Sequence, residues 1–193
     1  MLFNIIYTIY ILYTMGAGVL PVALHKNKLY FLFGKENKFE DTAPGFSDFG
    51  GGQDFDETIL ETAIREGREE TTGFLGSEKD IRKILMKTGQ YHIVLQNKHH
   101  MFILPMNYEP MLELYYNNNQ KFIQSHLDEN IMKKSKIFEK SEIRWICIDD
   151  ILKMRSQFRF FFRDALDVLV SKEREIRKIT KSVVSKKTRK VRN

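Results

Sequence analysis

The stretch that decides the fold is GGGQDFDETILETAIREGREETTGF, which runs from Gly50 to Phe74. Three glycines open it, and glycine lets the backbone approach a ligand closely and tolerates positive φ. The residues from Glu57 to Thr71 predict a helix, because Ile59, Leu60, Ala63 and Ile64 recur at helical spacing. We therefore expect a glycine-rich turn that leads into an amphipathic helix.

This helix carries carboxylates close together near its end. Glu66 and Glu70 are four residues apart and Glu69 lies three residues after Glu66, so the three side chains share one part of the helix surface. Like charges at this spacing repel, and Arg65 or a hard divalent cation can offset them. Mg²⁺ prefers carboxylate oxygens together with substrate phosphates. A solvated acidic helix face is the alternative interpretation of the glutamates alone.

The whole segment resembles the Nudix box. That pattern is Gly, five residues, Glu, seven residues, Arg-Glu, an aliphatic residue, any residue, Glu-Glu, any residue, Gly and an aliphatic residue. The positions in register are Gly51, Glu57, Arg65, Glu66, Glu69 and Glu70. Gly67 departs from the pattern by replacing the aliphatic residue, and Thr72-Gly73 departs as if one residue were inserted before the closing glycine. Both departures concern helix packing and the helix end.

The resemblance implies an α/β fold of the Nudix type, an α/β/α sandwich around a mixed β-sheet. It also implies a pyrophosphohydrolase that uses Mg²⁺ or Mn²⁺ to cleave a pyrophosphate linkage in a nucleoside diphosphate derivative. Metal binding and catalysis then fall to Glu66, Glu69 and Glu70. Glu57 and Arg65 are expected to shape the loop and the helix by pairing with neighbouring charges.

Two further groups of site residues follow from the resemblance. Gly50, Gly51 and Gly52 are expected to contact the substrate. Members of the family commonly recruit one more catalytic carboxylate from outside the box, and the stretch EKSEIRWICI offers Glu139 and Glu142. Further candidates are Glu109, Glu113 and Glu129.

The box encodes the chemistry and not the leaving group, so the substrate class stays open. Capped RNA, nucleoside triphosphates, nucleoside diphosphate sugars or dinucleotides, and diphosphoinositol polyphosphates all compete. The Lys-, Ile- and Asn-rich sequence and the motif SDFGGG are faintly similar to Nudix proteins of large DNA viruses, some of which decap mRNA. A catalytically silent Nudix-fold binding module is the non-enzymatic alternative, although such modules normally lose the box carboxylates.

The length and composition of the chain limit its domain organisation. Its 193 residues suit one domain with an appendage. A single cysteine, Cys147, excludes an intrachain disulfide, and we expect a core residue in an intracellular protein, cytoplasmic or nuclear. We divide the chain into an apolar leader (1–15), a Nudix hydrolase domain (16–171) and a basic C-terminal tail (172–193).

The two ends of the chain invite separate hypotheses. Residues 1–24 carry no charge, and residues 1–13 are an accessory packed segment, a spurious leader before a true start at Met15, or a membrane anchor. Residues 172–193 hold ten basic and two acidic residues, a net charge of +8, whereas residues 1–171 hold 21 basic and 23 acidic residues, a net charge of −2. This tail is solvated or used for targeting, contacts RNA, or binds an anionic membrane. Its last part, residues 185–193, is expected to be mobile.

The remaining elements are predicted from periodicity and turn residues. Residues 18–24 and 28–34 read as two strands joined by a turn, with further strands at 90–96 and 100–106. Ser77 is predicted to cap a helix that ends near Met86. The adjacent His99 and His100 are predicted to lie at the surface, because neighbouring strand residues face opposite ways and make a poor metal pair. Other expectations are Phe46 and Phe49 in the core, an irregular or partly helical segment at 108–119, and helices at 120–134 and 158–170.

Overall fold

The structure, a computed structural model, describes residues 15–38, 43–96, 98–131 and 139–190, with side chains described as far as residue 184. A long hairpin forms its centre. Strand β1 (Gly16–His25) pairs antiparallel with β2 (Lys28–Glu36), and Lys26 and Asn27 turn the chain with φ values of 47° and 61°. Two successive residues with positive φ match the right-handed twist of a hairpin, so the predicted strand–turn–strand is confirmed.

The glycine stretch enters the sheet where these two strands separate. Strand β3 (Phe46–Ser47) pairs with β2, and strand β4 (Phe49–Gly52) pairs with β1, both antiparallel. Asp48 lies between the two short strands and is buried. Phe46 and Phe49 are buried as well, which confirms the prediction that they belong to the core.

Three further strands complete a mixed sheet. Strand β6 (His100–Pro105) runs parallel to β1, β5 (His92–Val94) runs antiparallel to β6, and β7 (Lys140–Cys147) runs antiparallel to β2. The described strands form one seven-stranded sheet. The described helices are α1 (Ile59–Glu70), α2 (Glu78–Lys87), α3 (Pro110–His126), α4 (Ile148–Ile151), α5 (Arg163–Ser171) and α6 (Glu173–Lys190), with 3₁₀ turns at Arg155–Gln157 and Phe160–Phe162.

Helices cover both faces of the sheet, because successive strand residues point to opposite sides. Val19 and Leu32 belong to the core that contains Ile64 of α1. Leu20 belongs to the other core, with Leu166 of α5 and buried residues of α4 and α6. The expected α/β/α sandwich around a mixed sheet is thereby confirmed.

Local capping sets the ends of the two helices that follow β4. Thr58 and Glu61 form a capping box, so α1 begins at Ile59 and not at Glu57. At its other end Thr72 and Gly73 adopt φ values of 48° and 77°, so the extra residue before the closing glycine lies in the turn. Ser77 caps α2 as predicted, and the helix runs to Lys87.

The helices predicted in the second half of the chain need corrected bounds. The segment expected to be irregular or partly helical at 108–119 is helical from Pro110, because proline suits the first helical turn and the Glu109 side chain accepts the N–H of Met111. The same helix continues through the first part of the helix predicted at 120–134 and ends at His126, and residues 129–131 are helical again. Residues 132–134 lie outside the described part.

The predicted helix at 158–170 begins later than expected. Phe158 forms a parallel bridge with Phe46, and the N–H of Arg159 donates to the carbonyl of Phe46 at 3.1 Å. Their backbones are therefore extended beside β3, and regular helix begins only at Arg163.

The basic segment starts as part of the folded body. Ile176, Thr180 and Val183 of α6 are buried, and the helical backbone continues to Lys190. Among the described residues no helix has the length and apolar character needed to cross a membrane. The hypotheses on residues 1–13 and on residues 191–193 concern parts outside the described residues.

Candidate metal centre and adjoining cavity

The three glycines form a strand and not a turn, which corrects the sequence expectation. Gly50 and Gly51 lie opposite Gly18 and Ala17 of β1, and none of the residues 50–52 has positive φ. Close approach is nevertheless required. A Cβ on Gly51 would lie 2.5 Å from Oε1 of Glu66, and one on Gly50 would lie 2.6 Å from Cα of Gly18. These glycines let α1 and its carboxylates lie directly against the sheet.

Helix α1 is itself seated closely on β1. A Cβ at Gly67 would lie 2.4 Å from Cγ2 of Val19. The departure from the box pattern at Gly67 therefore has a packing reason, since an aliphatic side chain here would displace the helix from the strand. This contact holds Glu66 and Glu70 at the edge of the glycine strand.

Three carboxylates converge at this point. Oxygen atoms of Glu66, Glu70 and Glu139 all lie within 4.8 Å of one another. The first two come from α1, and Glu139 immediately precedes β7. A compact set of carboxylate oxygens is the donor set that suits Mg²⁺ or Mn²⁺. The residues present thus fit a hard divalent cation.

The other predicted carboxylates lie outside this group. The Glu69 side chain is 51% exposed and pairs with Nη1 of Arg65 at 3.2 Å. Glu142 pairs with Lys35 at 3.6 Å and with Arg144. Of the further candidates, Glu109 and Glu113 hydrogen-bond to backbone N–H groups and Glu129 is exposed. Of the two outside candidates in EKSEIRWICI, the structure brings Glu139 to the box glutamates.

Arg65 organises the exposed side of α1. Its Nε lies 2.7 Å from Glu57 Oε1, and its Nη1 lies 2.7 Å from Glu66 Oε1. Its Nη2 donates to the carbonyl of Gly52 at 3.0 Å, which ties the helix to the end of the glycine strand. The hydrogen bond from Arg65 is the main cause that lowers the pKa of Glu57 to about 2. For Glu66, burial raises the pKa by more than Arg65 lowers it.

A second and fully buried set of charges lies behind the carboxylates. Nζ of Lys140 is 3.0 Å from Oε1 of Glu70 and 2.5 Å from Oε1 of Glu36. The same Glu36 oxygen accepts from Nη1 of Arg159 at 2.9 Å. Oε2 of Glu70 accepts the N–H of Gly50 at 2.8 Å. Glu70 is therefore held on both oxygens by the protein.

Burial and the ion pairs act in opposite directions on the pKa values of this set. It raises the pKa of Glu70 well above the ordinary value, against the opposing effect of Lys140. Burial alone would lower the pKa of Lys140, but the Glu70 and Glu36 carboxylates outweigh it and raise that pKa. Sequence reasoning missed Lys140, Glu36 and Arg159. Glu36 lies 104 residues from Lys140 and 123 from Arg159, so no local spacing could have indicated the contacts.

A cavity of about 240 Å³ adjoins the glycine strand. Charged and polar side chains line it together with an aromatic ring, notably Asp48, His99, Arg159 and Phe161. The Arg159 guanidinium stands 4.6 Å from the centroid of the Phe161 ring, which is itself 42% exposed. The cavity therefore combines a cation, a planar face and backbone polar groups.

His99 is a second site residue that the sequence analysis placed wrongly. Its side chain is 15% exposed, and its Nε2 lies 2.7 Å from Oδ2 of Asp48. Burial lowers the pKa of His99, but the Asp48 carboxylate outweighs burial and leaves that pKa raised. The absence of side chains at Gly16 and Gly50 makes room for the ring, because a Cβ at either position would lie 2.9 Å from it.

No family model matches the chain, and no curated protein matches it. Among solved structures, the chain is similar to the Nudix hydrolase RenU from M. smegmatis, at 14% identity and a TM-score of 0.48 over 84% of this chain and 87% of that one. It is also similar to a MutT protein from Methanosarcina mazei, at 16% identity and a TM-score of 0.47 over 83% and 94%.

A third similar structure is an Ap4A hydrolase from C. elegans, at 16% identity and a TM-score of 0.38 over 72% of this chain and 84% of that one. At such low identities and scores, the side chains of the site, and not the likeness, must decide the function.

Proposed function

We propose that this protein is a Nudix-type pyrophosphohydrolase that depends on Mg²⁺ or Mn²⁺. The observation that carries the proposal is the convergence of Glu66, Glu70 and Glu139 beside the glycine strand. Two of these carboxylates stand in the register of the Nudix box, and the third, Glu139, comes from the stretch EKSEIRWICI, where one more carboxylate was expected.

Each part of the site then has a role in the reaction. Glu66, Glu70 and Glu139 would hold the divalent cation, which supplies a Lewis acid for a phosphoryl oxygen and lowers the pKa of water. Arg65 holds the helix to the end of the glycine strand, and Gly50 donates its N–H to Glu70. These ties keep the carboxylates in place while a substrate is bound.

The cavity beside the glycine strand is the proposed place for the rest of the substrate. The guanidinium of Arg159 and the imidazole of His99 provide positive charge or hydrogen-bond donors for an anionic group. Phe161 is partly exposed at the cavity and offers aromatic surface against which a planar base can pack. A nucleoside diphosphate derivative combines both features and is the substrate class that we propose.

A panel of substrates tests the activity. Nucleoside triphosphates, a nucleoside diphosphate sugar, a dinucleotide, a diphosphoinositol polyphosphate and capped RNA are each incubated with Mg²⁺ or Mn²⁺. We expect cleavage of a pyrophosphate linkage in at least one nucleotide, lost with a chelator and in Glu70→Gln. Cleavage that persists at the wild-type rate in Glu70→Gln, or no cleavage across the panel, would contradict the proposal.

Capped RNA is the finer proposal, and it depends on the basic segment. Every phosphate that a basic residue neutralises releases counterions, so RNA binding through this segment should weaken steeply with salt. Deleting residues 185–193 should raise KM on capped RNA and flatten its salt dependence, with kcat nearly unchanged. A free nucleotide serves as the matched control, because its kinetics should not change. Equal kinetics on capped RNA with and without the segment would remove decapping from the proposal.

One observation favours a second candidate, a binding module without catalysis. Lys140 already gives Glu70 a positive partner at 3.0 Å. A silent module would bind nucleotide without turning it over at any metal concentration, and Glu70→Gln would leave its nucleotide affinity unchanged. The substrate panel combined with nucleotide titration of that variant separates the two functions.

A further inference from the structure

Tyr116 of helix α3 joins the two elements that carry the candidate metal ligands. Its side chain is fully buried. Its hydroxyl lies 3.0 Å from the carbonyl oxygen of Glu70 and 3.2 Å from that of Lys140. Glu70 is the last residue of α1, and Lys140 is the first residue of β7, directly after Glu139. The single proton of this hydroxyl is shared between the two carbonyls as a bifurcated hydrogen bond, and it bridges the backbones that bear two carboxylates of the cluster.

Side chains of helix α3 hydrogen-bond to the backbone of β7. The Asn117 side chain donates to the carbonyl of Ile143 at 3.0 Å and accepts the N–H of Ile143 at 2.8 Å. Glu113 accepts the N–H of Trp145 at 3.1 Å. These bonds satisfy backbone groups on the edge of β7 that would otherwise be open. Tyr116 thus reaches the cluster from a helix that is hydrogen-bonded to the edge of the sheet.

The hydroxyl also meets a need at the end of α1. The last carbonyls of a helix have no partner within it. Those of Gly67, Arg68 and Glu69 accept from the side chain of Thr71 and from the N–H groups of Gly73 and Thr72. The next carbonyl is that of Glu70, and it accepts from Tyr116. The helix end that carries a candidate metal ligand is therefore tied to α3 by this side chain.

A second tie joins the same two residues through their side chains, since Nζ of Lys140 contacts Oε1 of Glu70. Residues 70 and 140 are thus linked both by backbone, through Tyr116, and by side chain. Glu139 has no freedom to move along the strand without moving Lys140. The Glu139 carbonyl itself accepts the N–H of Asn37 at 2.8 Å, so its backbone is also held next to the end of β2. The two ties then fix the segment that carries Glu139 relative to Glu70.

We propose that Tyr116 is a positioning residue that holds Glu139 against Glu70 and thereby completes the divalent-cation site. The inference rests on the proposed function, because it assigns a role toward the cation that the three carboxylates would hold. It adds that α3 supports the candidate metal centre through this side chain.

The test is Tyr116→Phe, which removes only the hydroxyl. Its readout is the Mn²⁺ dissociation constant, measured from the EPR signal of free Mn²⁺, well below the melting temperature. We expect binding to weaken by roughly tenfold or more, the usual cost of removing a group that orients metal ligands. The matched control is Tyr115→Phe on the same helix, where the side chain is 60% exposed and the affinity should not change.

A double variant separates positioning from a general structural effect. If Tyr116 acts through Glu139, adding Tyr116→Phe to Glu139→Gln should change the Mn²⁺ affinity by less than about twofold. In Glu66→Gln the same addition should still weaken binding, since Glu70 and Glu139 remain. An equal loss in the wild-type and Glu139→Gln backgrounds would overturn the inference. So would a lower melting temperature with unchanged Mn²⁺ affinity.

The design also tells the two proposals apart. Wild-type Mn²⁺ affinity in Glu139→Gln would remove Glu139 from the metal centre and contradict the proposed site itself. Weak binding in Glu139→Gln with normal binding in Tyr116→Phe would overturn only the positioning role. Should Tyr116→Phe not fold, Asn117→Ala loosens α3 from β7 and should give a smaller loss that again depends on Glu139. No loss in that variant would count against the inference.

Discussion

Helix α1 is held by two ion-pair clusters that differ in almost every respect. The cluster around Arg65 is half-buried and local, and joins that side chain to Glu57, Glu66 and Glu69, none more than eight residues away. The cluster around Lys140 is fully buried and joins Glu70 to Glu36, which is 104 residues from the lysine. The Arg65 cluster joins residues of the helix to one another and to the loop just before it. The Lys140 cluster joins the end of the helix to strands of the sheet.

The contrast has an energetic consequence. A partly exposed pair contributes little to stability, because solvent screens it. Removing one partner of a buried pair is costly, because it leaves an uncompensated charge out of water. We therefore expect Arg65 and Lys140 to differ in their effect on stability even though both pair with glutamates of the same helix.

The largest effect should separate two adjacent residues, Glu70 and Glu69. Glu70→Gln should lower kcat by roughly 10²-fold or more, because a ligand of the proposed divalent cation would lose its charge. Glu69 is half-exposed and lies outside the convergent group. The loss in kcat for Glu69→Gln should therefore be at least about tenfold smaller than that for Glu70→Gln. Steady-state kinetics on the same nucleotide measure both variants. Equal losses would show that the local spacing, and not the burial, selects the metal ligands.

The next effect concerns stability. Lys140→Met should lower the free energy of unfolding by about 3–5 kcal/mol, since Glu36 and Glu70 lose their buried cation. Arg65→Ala should lower it by only about 1 kcal/mol. In a domain of this size that corresponds to a fall in melting temperature of roughly 10 °C against a few degrees. Thermal unfolding followed by circular dichroism gives the comparison, and a larger fall for Arg65→Ala would reverse our account of the two clusters.

The smallest effect is a pH dependence that belongs to the Arg65 cluster. Arg65 lowers the pKa of Glu57 from 4.5 to about 2. Since the folded value is depressed, the contribution of Glu57 to stability is present above pH 4.5 and is lost as the pH falls toward 2. Glu57→Gln should flatten the fall in melting temperature over this window relative to the wild type. Parallel curves for the two proteins would show that the pair contributes no measurable stability.

The same contrast explains how much of the molecule the sequence could predict. The capping signals of α2, the hairpin turn and the pair of Arg65 with Glu69 are local, and sequence spacing indicated them. The box pattern, through the resemblance, also implied the α/β/α sandwich that the sheet and its helices confirm.

What the sequence could not predict depends on contacts between distant segments. The glycines form a strand because β1 and β2 separate and leave room beside β1, which no local pattern encodes. The His99 ring fits where it lies because Gly16 and Gly50 have no side chains, and these glycines are far from it in the sequence. Lys140 and Tyr116 enter the site through tertiary packing, so charge and periodicity along the chain gave no sign of them.

The most direct test of the central claim is a Mn²⁺ titration of the wild-type protein and Glu70→Gln, with Glu69→Gln as the neighbouring control. The free-Mn²⁺ EPR signal reports binding without depending on the choice of substrate. We predict that the wild type removes this signal, that Glu69→Gln does so with similar affinity, and that Glu70→Gln binds at least about tenfold more weakly. Equal Mn²⁺ binding in the wild type and Glu70→Gln would contradict the assignment of the metal centre.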